Sequence, residues 1–278
     1  MGAVCVEAAA SVKVSDPQEM EAAALVAPVT AVHFIQDLFL LTGEGPVLTV
    51  YSLKPHPKAS ASLSVLQHYR IHGVRPRRQA AVTAQKTHGL SSTTGPNFYD
   101  LAVFGGKAVR LVRLHVGLQD REHLHLEVLV PLMELQDWAL DVHWLSGDKH
   151  SLLCVALAHN SALLLDVNTG TALVQRSCLE GCLLYTALLL VHESWADVVL
   201  VGGTVFNQLV VWRPGGGDGG GDSHSKCKAP VERRLLGHSG VIFNISYLQE
   251  RGWLASASDD RSVIMSLEKE LAPLIEEL

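Results

Sequence analysis

Near the carboxyl end of this 278-residue chain, His238, Ser258 and Asp260 have the residue types of a nucleophile–base–acid triad, the constellation that activates a hydroxyl for acyl transfer. Their setting argues against that chemistry. A serine elbow of the G-x-S-x-G type needs glycine on both flanks of a sharp turn. Around Ser239 the string is Gly237-His238-Ser239-Gly240-Val241, with valine where the last glycine belongs. Cofactor cradles fare no better. Thr42-Gly43-Glu44-Gly45, Gly105-Gly106 and Gly202-Gly203 each follow a strand-like run, and another such run follows each of them. A methyl-donor or dinucleotide site needs a helix N-terminus at that point, so these strings read as β-turns. The glycine- and aspartate-rich string from Pro214 to Ser223 has no closing Lys-Ser/Thr pair and no apolar helix after it, and reads as a flexible loop.

Metal and redox chemistry are weakly served. His123-Leu124-His125 places two imidazoles on one strand face, but no further ligands stand nearby at metal spacing. Cys178 and Cys182 are one residue too far apart for the redox motif. The reading is therefore of no catalytic, cofactor-binding or metal site. Two cationic groups remain. Arg70, Arg75, Arg77 and Arg78 have Tyr69 and His72 beside them, and could touch RNA phosphates or a partner. Lys107, Arg110 and Arg113 alternate along a strand as a solvated face would. Trp138, Trp144 and Trp212 read as core rather than as docking anchors.

Short strands must position all of these residues. From Pro28 onward, apolar runs of 4–8 residues, rich in Val and Leu, recur between turn residues. Five of them look like successive inner strands of one repeating unit: Val47–Leu53, Ala108–Leu114, Ser161–Val167, Asn207–Arg213 and Arg261–Ser266. A landmark near the end of each falls at Tyr51, Val112, Asp166, Trp212 and Met265, with spacings of 61, 54, 46 and 53. A propeller blade of about 40–45 residues, lengthened by loops, fits that period. A second short strand precedes each: Leu38–Leu41, Leu101–Phe104, Leu152–Leu157, Asp197–Val201 and Leu254–Ser258. The expected organisation is a flexible tail over 1–25, blades over 26–266 with a flexible loop at 214–228, and a divergent tail with a short helix over 267–278.

Composition excludes several classes. The balance of 22 Lys+Arg against 28 Asp+Glu, a net charge of -6, does not support nucleic-acid binding by bulk charge. Five cysteines are an odd, sparse set and suit a reducing compartment rather than a disulfide framework. The first twenty residues lack the basic and apolar regions of a secretory signal. The richest apolar run, Leu183–Val191, is about half a membrane span. The expectation is a cytoplasmic protein without a membrane role.

Residues 236–263, LGHSGVIFNISYLQERGWLASASDDRSV, carry the strongest motif. Gly237-His238 precedes an alternating strand, a small-residue strand follows, and Asp259-Asp260-Arg261 makes the next turn. The order resembles a WD repeat. The resemblance implies a structural network in which His238 donates to Asp260, with Ser256 or Ser258 holding the ring. Satisfied buried networks of this kind specify one structure. Met265-Ser266 stands where the repeat places Trp-Asp. The fold class expected is all-β, a WD40-type β-propeller with about five blades visible and the propeller incomplete.

Further strings resemble one family of large WD-repeat proteins, the accessory subunits of the FtsJ-like tRNA ribose 2′-O-methyltransferase. They are Leu40–Leu53, His68–Gly73, Leu101–Leu114, Gln136–Leu145, Ala156–Gly170 and Val201–Pro214. The resemblance runs in order from about Val26 to Val263 and covers the first propeller region of a member several times longer. This chain is thus expected to be a truncated form. The resemblance implies a non-catalytic scaffold that binds the enzyme and positions tRNA for 2′-O-methylation of its first anticodon nucleotide, position 34. S-adenosylmethionine would belong to the partner enzyme, and a growth-control kinase would be a further partner. The alternative is a general WD-repeat adaptor in growth or kinase signalling with no RNA role.

Overall fold

The computed structural model describes residues 27–53, 58–77, 98–117, 123–145, 151–192, 194–216 and 228–267. The segments 1–25 and 268–278, most of the glycine-rich loop and Arg78 lie outside them. The described residues are all-β, with two single 3-10 turns at Trp195–Asp197 and Gln249–Arg251. They divide into two compact units, one ending at Gln136 and one beginning at Asp137.

The first unit holds two blades. Strands β1 (Val29–Ile35), β2 (Phe39–Glu44), β3 (Val47–Ser52) and β4 (Lys58–Ser64) pair antiparallel in chain order. So do β5 (Gly73–Pro76), β6 (Phe98–Gly105), β7 (Ala108–Val116) and β8 (Leu124–Val128), and β9 (Met133–Glu134) pairs with the start of β7. The second unit holds three blades. The third blade is β10 (Ala139–Leu145), β11 (Leu152–Leu157), β12 (Ser161–Asp166) and β13 (Thr171–Cys178). The fourth is β14 (Leu184–Leu190), β15 (Val199–Thr204), β16 (Leu209–Trp212) and β18 (Arg233–Leu235). The fifth shows three strands, β19 (Ile242–Leu248), β20 (Trp253–Ser258) and β21 (Val263–Leu267).

The five landmark runs of the sequence are the third strands of the blades, and the runs before them are the second strands. Their near-continuous apolar character has a packing cause. Leu153–Leu157 of β11 and Ser161–Leu165 of β12 are buried on both faces, as strands sandwiched between layers must be. Edge strand β13, by contrast, starts exposed and becomes buried only at Cys178. Among the described residues, one core lies inside the first unit around Leu41, Leu101 and Leu114. In the second unit, one lies between the third and fourth blades around Trp212 and Cys154, and one between the fourth and fifth around Val211 and Ile242.

Two local devices recur. The turn from second to third strand contains one left-handed residue in every blade: Gly45, Gly106, Asn160, Asn207 and Arg261. Glycine and asparagine suit that backbone; arginine at φ 69° is the exception. The first strands β1, β10, β14 and β19 each carry a one-residue bulge near their start, at Thr30, Leu140, Tyr185 and Phe243. Bulges re-aim a side chain away from the regular pleat.

The chain also makes an excursion between the third and fourth strands of the fourth blade. Lys228–Ala229 form β17, a strand parallel to the outer edge of β13 in the third blade, before the chain returns as β18. Leu179 N–H donates to Ala229 O at 2.7 Å and extends the pairing. Lys228, expected in the flexible loop, therefore lies in a strand, and Leu267, expected in the helical tail, ends β21.

Candidate functional site

The turn of the fifth blade gathers the polar residues of the strongest motif. His238 is 8% exposed and sits just ahead of β19. Its Nδ1 lies 3.0 Å from Asp260 Oδ2, and its Nε2 lies 2.9 Å from Ser256 Oγ. With the proton on Nδ1, the ring donates to the carboxylate and accepts from the serine hydroxyl. Ser258 does not touch the ring. Its hydroxyl accepts from Asp260 N–H at 3.3 Å and bonds Asp259. Two partners escaped the sequence reading. Ser262 Oγ lies 3.1 Å from His238 Nδ1 and donates to Asp260 Oδ1 at 2.6 Å, and Ser239 N–H donates to Asp260 Oδ2 at 2.8 Å.

The connectivity of Ser256, His238 and Asp260 is that of a serine relay, but the geometry gives it a structural task. Ser256 is 3% exposed in the middle of β20, where no acyl group can reach its hydroxyl. Asp260 instead closes its own turn, since Ser262 N–H also donates to Oδ1 at 2.8 Å. Bonds from the Ser262 hydroxyl, then Ser239 N–H, hold its carboxyl well below the usual carboxylate range, against a smaller opposing effect of burial. The folded carboxyl is more acidic than the unfolded one, so the network's contribution is complete above about pH 4 and is lost as pH falls through the folded value. Asp260→Asn should therefore flatten the acid limb of stability against pH, read by urea unfolding between about pH 5 and pH 2. An acid limb as steep as wild type would contradict this.

Other candidates fall apart or find new neighbours. Cross-strand register sets His125 against His115 of β7, with ring centroids 6.0 Å apart, and His115 Nε2 lies 2.7 Å from Glu127. Even so, no group of three His, Cys, Asp or Glu side chains among the described residues is placed to hold a metal. Cys154, Cys178 and Cys182 are free thiols. Burial pushes Cys178 up to about 11 and raises the other two, which disfavours the nucleophilic thiolate. Cys182 is engaged through its sulfur, 3.2 Å from Asn160 Nδ2.

The cations divide. Arg70 is exposed, Arg75 and Arg77 are half-buried at the first strand of the second blade, and burial followed by Arg75 holds His33 below its ordinary value. The second group is not a solvated face. Arg113 makes a bidentate pair with Asp100 at 2.7 and 3.1 Å and stacks over Phe98, Arg110 donates to Val65 O, and Lys107 donates to Gln136 O. Trp144 and Trp212 are core, at 8% and 0% exposure. Trp138 corrects the reading: it lies one residue ahead of β10, at the end of the sheet, and is 59% exposed.

Five blades of paired strands, with a histidine–aspartate network locking the last turn, define a β-propeller repeat protein of the WD class. More particularly, the chain matches a WDR6-like propeller region. It is 35% identical over 244 residues to the tRNA (34-2'-O)-methyltransferase regulator WDR6 of Homo sapiens, and equally so to that of Mus musculus. It is 36% identical over 242 residues to the WDR6 of Rattus norvegicus. Each match covers 86% of this chain and 19% of the relative, so the chain spans about a fifth of the length of the curated proteins it matches. No family model matches the chain.

Proposed function

We propose that the chain is a non-catalytic WD-repeat scaffold that partners an FtsJ-like methyltransferase in 2′-O-methylation of the first anticodon nucleotide of tRNA. The supporting observation is the 86% coverage by relatives named as regulators of that methylation. The fold supports it as well: polar residues with the types of a relay are spent on closing a turn. S-adenosylmethionine then belongs to the enzyme, and tRNA is reached through the complex, with Arg70 exposed and Arg75 and Arg77 half-buried. The free thiols of Cys154 and Cys178, both buried, suit a reducing cytoplasmic setting.

The test is a mass-spectrometric count of 2′-O-methylated first-anticodon nucleosides in cells with and without the gene. At least a tenfold drop on deletion, restored by re-expression, is expected. Unchanged methylation, or full methylation by the enzyme alone, would remove the reading.

A further inference from the structure

The exposed apolar side chains of the second unit are not scattered. Antiparallel pairing puts the start of each first strand beside the turn between second and third strands, so both mark one end of a blade. The three blades share that end. Leu184 N–H donates to Ala158 O in the turn of the third blade, and the Tyr185 and Phe243 rings meet edge-on, 5.3 Å apart, between the fourth and fifth. Here stand Trp138 at 59% exposure, Tyr185 at 53%, Phe206 at 66% and Phe243 at 47%. Leu183 and Leu236 join them, while Leu173 and Leu248 lie toward the opposite end. Two of the aromatics occupy first-strand bulges, so the backbone itself turns them off the sheet face. Large apolar side chains gathered on one surface mark an interaction site, and Trp and Tyr are the residues that dominate binding energy.

The charges nearby decide between a polyanion and a protein. His159 is anchored to Asp137 at 2.9 Å, and His238 to Asp260. Arg234 is paired with Glu180. Arg261 shares its turn with the exposed Asp259. A stacking platform for RNA needs a cationic track beside its rings to meet the phosphates, and the arginines nearest these rings, Arg234 and Arg261, each have a carboxylate beside them. A neutral aromatic surface is instead complementary to apolar side chains of another protein. We propose that this end of the third to fifth blades is the docking surface for a protein partner presenting an apolar cluster, namely the methyltransferase. The inference rests on the scaffold reading above and locates its contact.

The test compares the whole chain with Tyr185→Ala/Phe243→Ala, with Phe206→Ser, and with Leu173→Ser/Leu248→Ser as a control at the opposite end. Each is titrated against the purified methyltransferase by biolayer interferometry, after thermal melts establish that it is folded. The double aromatic variant should bind at least tenfold more weakly. Phe206→Ser should weaken binding about threefold or more without altering the melt, and the control should stay within twofold. Aromatic variants that bind within twofold of wild type would overturn the inference and leave the scaffold reading standing. Failure of wild type itself to bind the enzyme would overturn both. Loss of tRNA binding in a filter assay with enzyme binding unchanged would reassign the surface to RNA and so overturn the protein partner.

Discussion

Trp212→Ala is expected to lower the stability of the second unit by about 3–5 kcal/mol, the range for removing a large buried aromatic side chain. Trp212 is fully buried between the third and fourth blades, in the core that includes Cys154, Leu164 and Leu200. Its indole Nε1 also donates to Asn160 Oδ1 at 2.8 Å. Asn160 is itself fully buried and left-handed, and its amide donates to Glu180 O and meets Cys182 sulfur. Truncation therefore leaves a cavity and a buried acceptor without its donor. Trp212→Phe separates the two effects: most of the volume stays, the N–H goes, and a loss of about 1–3 kcal/mol is expected. Against a whole-domain stability of about 5–15 kcal/mol, the alanine change is a large fraction. Urea unfolding followed by circular dichroism measures both, and an alanine variant within 1 kcal/mol of wild type would contradict the packing argument.

Asp141→Ala should rank beside it. Asp141 lies in β10 at 1% exposure. Its Oδ1 accepts from Val142 N–H at 2.9 Å, and its Oδ2 accepts from Leu189 N–H at 2.8 Å in β14. One carboxylate thus joins the first strands of two neighbouring blades where no direct backbone ladder connects them. Hydrogen bonds to a charged acceptor are worth roughly 1.5–3 kcal/mol each, and buried donors left unpaired carry their own penalty. A loss of about 3–5 kcal/mol is expected for alanine. Asparagine is the sharper probe, because one of its two positions becomes an amide that faces an N–H donor. Asp141→Asn should recover less than half of the loss, and near-complete recovery would show that charge and both acceptors matter little. Amide hydrogen exchange at Leu189 should accelerate in both variants, which a diffuse destabilisation elsewhere would not single out.

The sequence disclosed the interior strands more clearly than the others, for a physical reason. β11 and β12 are buried on both faces and read as continuous apolar runs. β5, by contrast, is Gly73-Val74-Arg75-Pro76, four residues without periodicity, and it is held by its pairing to β6 rather than by its own pattern. The two residues of β17 owe their strand state wholly to the edge of β13. The site was legible in the same uneven way. His238, Ser256 and Asp260 could be grouped because the motif fixes their order, but Ser262 and the Ser239 amide join through the closure of the turn, which composition does not reveal. The His115–His125 contact depends on register between β7 and β8. Trp138 was misjudged because a tryptophan ahead of an apolar strand looks like core until the strand's first residue is fixed at Ala139.

The detour through β17 bears on how the second unit can be cut or rebuilt. Its flanking strands belong to the fourth blade while it is hydrogen-bonded to the third, so a protease nick between Cys178 and Leu184 would leave two fragments still laced together. A fragment ending at Cys182 would lose that cover and bare the β13 edge to strand pairing between molecules, the route to aggregates. Anyone dissecting the molecule into minimal pieces, or permuting its termini, should treat these two blades as inseparable and place new ends elsewhere.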